Sequence, residues 1–392
     1  MAKTVYIASV ARTPVGSMGA ALASFTAPQL GTKAIHAAIG RAGIKPAEVD
    51  EVFFGNVLTA NTGQAPARQA ALGAGISNTV PCTTVNKVCA SGSKSTMFGI
   101  QSILLGDADL VVAGGMESMS NTPFYMDKAR FGYKLGHGSI IDGILKDGLW
   151  DVYNDFHMGN AAELCAEECS ISREEQDEYA VNSYKRAAEA TANGYFSDEI
   201  TPVEVAGRKE TTTVSEDEEY QNIKYEKVPK LKPVFQKGGT VTAANSSTIN
   251  DGAAALILAS EEKVNELGLQ PVAKVVSYAD AAKEPERFTT APAEALRKAA
   301  SKADKALSDI DYFEINEAFS VVPMANNQLL NLDPEKVNVF GGAVSMGHPI
   351  GCSGARILVT LTSVLRHKGG QTGAIGICNG GGGASALVIE KV

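Results

Sequence analysis

Two thiols, one imidazole and one amide lie at points in the chain where such groups can do nucleophilic and acid–base chemistry. Cys89 stands in Asn86-Lys-Val-Cys89-Ala-Ser-Gly92, between an expected strand at Thr83–Val85 and an expected helix to Leu105. A helix N-terminus carries unsatisfied N–H groups and partial positive charge. That setting lowers a thiol pKa from about 8.5 and favours the nucleophilic thiolate. The plainer reading is a packing cysteine. His348 is fixed between Gly347 and Pro349 in the glycine-rich run Gly341–Gly351. It reads either as a structural turn histidine or as the base that takes a thiol proton. Cys378 meets four glycines in Ile377-Cys378-Asn-Gly-Gly-Gly-Gly383. Such a loop can aim backbone N–H groups at an oxyanion, or can simply join two strands tightly. A second thiol can serve as acid and base. Asn316, in Asn316-Glu-Ala-Phe319, can donate to a polarised oxygen or hold a water, and is equally a good helix cap.

Positioning these groups requires strands that alternate with helices. Val5–Ala8, Val52–Phe54 and Leu110–Ala113 are apolar runs of strand length. Pro28–Ala42 reads as a helix with Gly43 just past its end. In the C-terminal part, Tyr312–Ile315, Val337–Phe340, Thr372–Cys378 and Ala384–Ile389 read as strands and Gly351–Leu365 as a helix. This order predicts an α/β layered fold. It also hints at duplication. Gly114-Gly115 follows Cys89-Ala-Ser-Gly92 by 25 residues, and Gly380-Gly381 follows Cys352-Ser-Gly-Ala355 by 28. The stretch 121–240 is richer in charge, with the acidic run Glu216–Glu219 and lysines at 224, 227, 230, 232 and 237. It reads as a long insertion, either a solvated cap or a lid that supplies a ligand site.

Composition narrows the partners. The chain has 392 residues, 44% apolar and 20% charged, enough for a large core. A net charge of −9 argues against nonspecific nucleic-acid binding. Six cysteines are too few for a disulfide scaffold, and the pair Cys165 and Cys169 does not complete a zinc site. No apolar stretch approaches the roughly 20 residues of a membrane span. Neither end carries a targeting pattern, so a cytoplasmic protein is expected.

The motifs Asn86–Gly92, Gly114-Gly-Met-Glu-Ser-Met119, Asn316–Phe319, Gly341–Gly351 and Cys378–Gly383, in that order over essentially the whole chain, resemble the thiolase family. The resemblance includes His157-Met-Gly-Asn160 and Thr240-Val-Thr-Ala-Ala-Asn245, and the His157-Met158 pair with the run Val234-Phe-Gln236 before Thr240 resembles its biosynthetic branch. The resemblance implies a thiolase fold, with two similar βαβαβαββ halves forming a five-layered α-β-α-β-α core. The halves would be 1–120 plus 246–270 and 271–392, with 121–245 an inserted loop domain that binds coenzyme A. It implies a reversible Claisen condensation of two acetyl-CoA to acetoacetyl-CoA and CoA, by ping-pong transfer through acetylated Cys89. His348 would deprotonate Cys89, and Cys378 would take the methyl proton of the second acetyl-CoA. Asn316 would hold a water that forms one oxyanion site with His348, and the N–H groups of Cys89 and Gly380 would form the other. Leu149, His157, Met158, Phe235, Ala243, Ser247, Ala318 and Phe319 would line the pantetheine tunnel. CoA would be substrate and product, with no tightly bound cofactor. Some relatives bind potassium, and Tyr220, Ala279, Ala282 and Val344 match that arrangement in outline. The family's usual assembly is a homotetramer. Two other readings are a degradative 3-ketoacyl-CoA thiolase of broader chain length and a catalytically silent CoA-binding scaffold.

Overall fold

The computed structural model describes residues 3–207 and 209–392. Nine strands form the main path: β1 (Val5–Arg12), β2 (Glu51–Gly55), β3 (Cys82–Val85), β4 (Leu110–Ser118), β5 (Asn250–Ser260), β6 (Ala273–Ala282), β7 (Tyr312–Ile315), β8 (Thr372–Asn379) and β9 (Gly383–Lys391). Their order is β7-β8-β9-β6-β1-β5-β4-β2-β3, with a two-residue strand at Gly16–Ser17 beside β5. The seam is narrow: β1 meets β6 only at Tyr6–Lys274 and Ile7–Ala273. Outward from it the same plan repeats, as β1-β5-β4-β2-β3 on one side and β6-β9-β8-β7 on the other. The duplicated halves expected from the sequence are therefore present as topology.

Eight helices build the layers: α1 (Ala27–Ala42), α2 (Pro66–Gly73), α3 (Ser91–Leu105), α4 (Met158–Glu168), α5 (Arg173–Ala192), α6 (Ala291–Lys302), α7 (Val321–Leu330) and α8 (Ile350–Lys368). Strand alternation sorts the side chains between layers. Leu256 and Leu258 of β5 pack with Met97 and Ile100 of α3 and with Ile357 and Leu361 of α8. The same cluster takes in Ile375, Ile377, Leu387 and Ile389 from the second half, so α3 and α8 are the middle layer. Ala255 and Ile257, the alternate residues of β5, pack against α1 and α2. Ala384, Ala386 and Val388 of β9 face α6 and α7. The result is five α-β-α-β-α layers, as the resemblance implies.

The two small-residue motifs pack against each other where α3 and α8 begin. A Cβ on Gly92 would sit 2.5 Å from the Ala355 nitrogen, and one on Gly354 would sit 2.6 Å from the Ser93 nitrogen. Any side chain there would force apart the two helices whose N-terminal loops carry Cys89 and His348. The stretch 121–245 is fastened to β1 by buried charge: the Arg12 guanidinium bonds Glu199 at 2.6 Å and Asp217 at 2.7 and 2.9 Å.

One expected strand is absent. Val337–Phe340 makes only single bridges, Val337 to Phe313 and Val339 to Gly341. Asn338 has φ 50°, which breaks an extended run. Its side chain substitutes for the ladder: Oδ1 accepts from Ile315 N at 2.8 Å, and Nδ2 donates to Ile315 O at 2.8 Å.

Candidate active site

Cys89 sits on a tight elbow between β3 and α3. Val88 has φ 47°, an uncommon conformation for a β-branched residue. Local bonds hold it. The Ser91 hydroxyl accepts from Lys87 N at 2.8 Å and donates to Val88 O at 2.6 Å, while Asn86 Oδ1 accepts from Val88 N at 3.0 Å. Burial pushes the Cys89 thiol up to about 12, against the opposing pull of the Gly380 and Cys89 N–H groups within hydrogen-bonding reach. The lowered pKa expected from the helix end is thus corrected. Removing a thiolate from water outweighs the field of one helix terminus.

His348 lies in the turn before α8, its N–H donating to Asn250 Oδ1 at 2.9 Å. Its Nδ1 is 2.6 Å from the Ser353 hydroxyl, which donates its own hydrogen to Pro349 O at 2.9 Å. Ser353 can then only accept from the ring, so Nδ1 carries the proton and Nε2 the lone pair. Nε2 is buried and has no hydrogen-bond partner among the described residues. Burial, then the Arg356 charge, lowers the His348 pKa to about 3. The imidazole is therefore neutral near pH 7 and able to accept a proton.

Cys378 is the penultimate residue of β8 and is fully buried. Burial, then the neighbouring Cys89 thiol, raises its pKa well above the ordinary value. The hairpin that follows turns through Gly381 and Gly382 at φ 86° and 91°, angles that favour glycine. Asn316 follows β7. It does not cap a helix: α7 starts at Val321 with Ser320 in the cap position. Both of its buried side-chain polar atoms are without a partner among the described residues. The next residue, Glu317, accepts bonds from Tyr179, Ser183, Asn338 and Val344 N, which ties the Asn316 loop to the segment before His348.

These loops meet at a cavity of about 190 Å³, lined by Cys89, His348 and Gly380 together with Leu149, His157, Met158, Phe235, Ser247, Ala318 and Phe319. Cys378 and Asn316 are not in its lining; they are 0% and 1% exposed. Ala243, expected in the tunnel, is exposed and is not part of the lining. Sequence reasoning did not assign Met119, Ser246, Thr248, Ile249 and Ile350 to this wall. Ser353 was missed as well, although its place five residues after a histidine, on the first turn of a helix, is a readable signal. His157 caps α4 by accepting from Gly159 N at 3.0 Å and stacks on Phe235 at 4.7 Å. A larger surface cavity of about 560 Å³ beside Arg41, Asp198 and Arg366 holds no thiol or imidazole.

The four residues expected around potassium do not form one cluster. Tyr220 packs with Tyr184 and Val344 near α5. Ala279 and Ala282 lie on β6, paired with Ala386 and Gly383 of β9. Among the described residues, no group of three His, Cys, Asp or Glu could hold a metal ion, and no helix is long and apolar enough to cross a membrane.

A duplicated five-layer α/β fold with one thiol and a neutral imidazole on an apolar cavity, and a second thiol buried beside the first, defines a thiol-dependent acyl-transfer class of protein. Residues 5–262 match the family description "Thiolase, N-terminal domain", and residues 269–391 match "Thiolase, C-terminal domain". The chain belongs to the thiolase family. It is 59% identical to acetyl-CoA acetyltransferase 2 of Arabidopsis thaliana, over 99% of this chain and 97% of that one. It is 56% identical to an acetyl-CoA acetyltransferase of Gibberella zeae named as cytosolic, over 99% and 98%. A crystal structure of an Ascaris suum thiolase in complex with coenzyme A superposes with a TM-score of 0.95 at 45% identity, covering 99% of this chain and all of that one.

Proposed function

We propose that this protein is an acetyl-CoA C-acetyltransferase that condenses two acetyl-CoA reversibly to acetoacetyl-CoA and CoA. The observation that carries this reading is the tautomer of His348: a neutral ring with its Nε2 lone pair free, on a cavity shared with Cys89. The Cys89 proton passes to Nε2 as sulfur attacks the acetyl carbonyl. The oxyanion is held by the N–H groups of Cys89 and Gly380; one such donor is typically worth about 2.7–4 kcal/mol. As the intermediate collapses, the leaving CoA sulfur takes the proton of Cys378. Cys378, now a thiolate raised in basicity by burial, removes a methyl proton from the second acetyl-CoA. The enolate oxygen faces Nε2 of protonated His348 and a water held by Asn316. The enolate carbon then attacks acetyl-Cys89, and the departing Cys89 sulfur recovers its proton from His348. Every group returns to its starting state.

The pantetheine arm would run past Leu149, His157, Phe235, Ser247 and Phe319. Met158 and Phe288, 7% and 2% exposed, close the cavity wall. A space of about 190 Å³ favours acetyl and acetoacetyl groups over long acyl chains. The domain limits proposed are 1–120 with 246–270, 121–245 as the CoA-binding insertion, and 271–392. A homotetramer is part of the proposal, supported by Phe131 and Leu135, which a single chain leaves 87% and 99% exposed. A cytosolic location is supported by the name of the Gibberella zeae relative. Initial rates of thiolysis test the reading. It requires parallel double-reciprocal lines and a strong preference for acetoacetyl-CoA. Equal or better turnover of a long-chain 3-ketoacyl-CoA would replace it with the degradative reading, and no turnover of either would leave a CoA-binding scaffold.

A further inference from the structure

Lys87 lies two residues before Cys89, yet its ammonium group ends on the opposite half of the molecule. It bonds Asp280 Oδ1 of β6 at 2.5 Å, Ser385 Oγ of β9 at 2.9 Å and Ala384 O at 3.3 Å. Ala384 is the residue directly opposite Cys378 in the β8–β9 register. The Asp280 carboxylate is itself shared, accepting from Ser385 Oγ at 2.7 Å and from Lys94 of α3 at 2.7 Å. Two lysines hold Asp280 at about 2, so it stays ionised at any working pH. The loop these bonds hold contains Val88 at φ 47°, a conformation that persists only where its surroundings fix it.

We infer that Lys87, anchored by Asp280, is a positioning residue that sets the spacing between the Cys89 and Cys378 thiols. The inference rests on the roles proposed above for those two cysteines. The Cys89 elbow belongs to the first half and the Cys378 hairpin to the second, and among the described residues the two halves pair as strands only at the narrow β1–β6 seam. Lys87 supplies a direct strut between them at the place where the chemistry requires it. Exposed ion pairs contribute little to stability. Lys87, however, is only 24% exposed and bonds a carboxylate, a hydroxyl and a carbonyl at once. Its effect is therefore expected in reaction geometry rather than in folding. Lys94 is the internal control. It pairs with the same carboxylate, but its bond leaves from α3 and does not reach the strand opposite Cys378.

The test uses full-length Lys87→Met, Lys87→Arg, Lys94→Met and Asp280→Asn proteins. For each, kcat and KM for acetoacetyl-CoA thiolysis are measured, with active sites counted by acetylation of Cys89. Misplacement by an ångström costs up to about a hundredfold, so Lys87→Met should lower kcat per acetylatable site by about tenfold or more. KM should change by less than about twofold, because Lys87 does not line the cavity. Lys87→Arg should restore most of the rate, and Lys94→Met should leave it within about twofold. Asp280→Asn keeps the shape of the side chain and should give a loss in the same direction, which covers the case of a poorly folding Lys87→Met. A kcat for Lys87→Met or Asp280→Asn within about twofold of the parent would overturn the inference, as would an equal loss in Lys94→Met. Cys89→Ala separates the two levels of the argument. If it stays active, the site reading itself fails. If it is dead while Lys87→Met is normal, only the strut fails.

Discussion

Ser353→Ala isolates the tautomer argument. The hydroxyl accepts from His348 Nδ1 at 2.6 Å and leaves Nε2 as the only lone pair on the ring. Alanine keeps nearly the same volume in a fully buried position. It leaves a buried N–H without a partner, which costs about 1–3 kcal/mol. The ring can relieve that cost by moving its proton to Nε2, which removes the base. At 1.36 kcal/mol per decade, the expected loss in kcat is about 5- to 150-fold. Ser353 is not in the cavity lining, so KM for acetoacetyl-CoA should hold within about twofold. The assay is steady-state thiolysis, paired with stopped-flow acetylation of Cys89, and both rates should fall together. A Ser353→Ala enzyme with kcat within twofold of the parent would refute the claim that Ser353 selects the reactive tautomer. A rise in KM without a fall in kcat would refute it equally.

Three other outcomes are expected. Cys378→Ala should still acetylate Cys89, slowly, but its condensation rate should fall by at least about a hundredfold, since the general acid and base is gone; mass spectrometry with a coupled assay separates the two steps. A Cβ at residue 159 would overlap the Phe235 ring, so Gly159→Ala should push that ring into the cavity and raise KM for CoA by about tenfold, read from thiolysis kinetics. Burial holds His348 at about 3, against about 6.5 in an unfolded chain. Because its folded pKa is depressed, the ring stays a base down to about pH 4, so the acetylation rate should show no acid limb near pH 6–7. A limb there would mean that the ring is solvated.

The sequence carried the scaffold well where physical periodicity or steric demand left a mark. The apolar runs at Leu110–Ala113 and Ala384–Ile389 are strands, and the repeated Cys-Ala-Ser-Gly and Cys-Ser-Gly motifs are helix starts that pack against each other. Glycine runs flagged the loops at His348 and Cys378 because those turns need close approach or positive φ. What stayed hidden depends on three-dimensional surroundings. The direction of the Cys89 shift follows from how deeply the thiol is buried, which neighbours in sequence do not reveal. Asn338 halts an apolar run because its side chain replaces a ladder bond, an exchange that leaves no periodic trace. Ala243 shares a motif with tunnel residues yet is exposed and outside the cavity lining, and Lys87 bonds partners almost two hundred and three hundred residues away. The potassium set mixed residues from two separate clusters, because backbone carbonyl ligands have no side-chain signature.

Covalent transfer to one sulfur is the step on which the proposed chemistry depends. Full-length protein should be mixed with acetyl-CoA alone, quenched in acid within a second, digested and mapped by mass spectrometry. The predicted result is a single acetyl group on the peptide that contains Cys89, lost on addition of CoA and absent from Cys89→Ala. Acetylation of Cys378 instead, or turnover with Cys89 never modified, would contradict it.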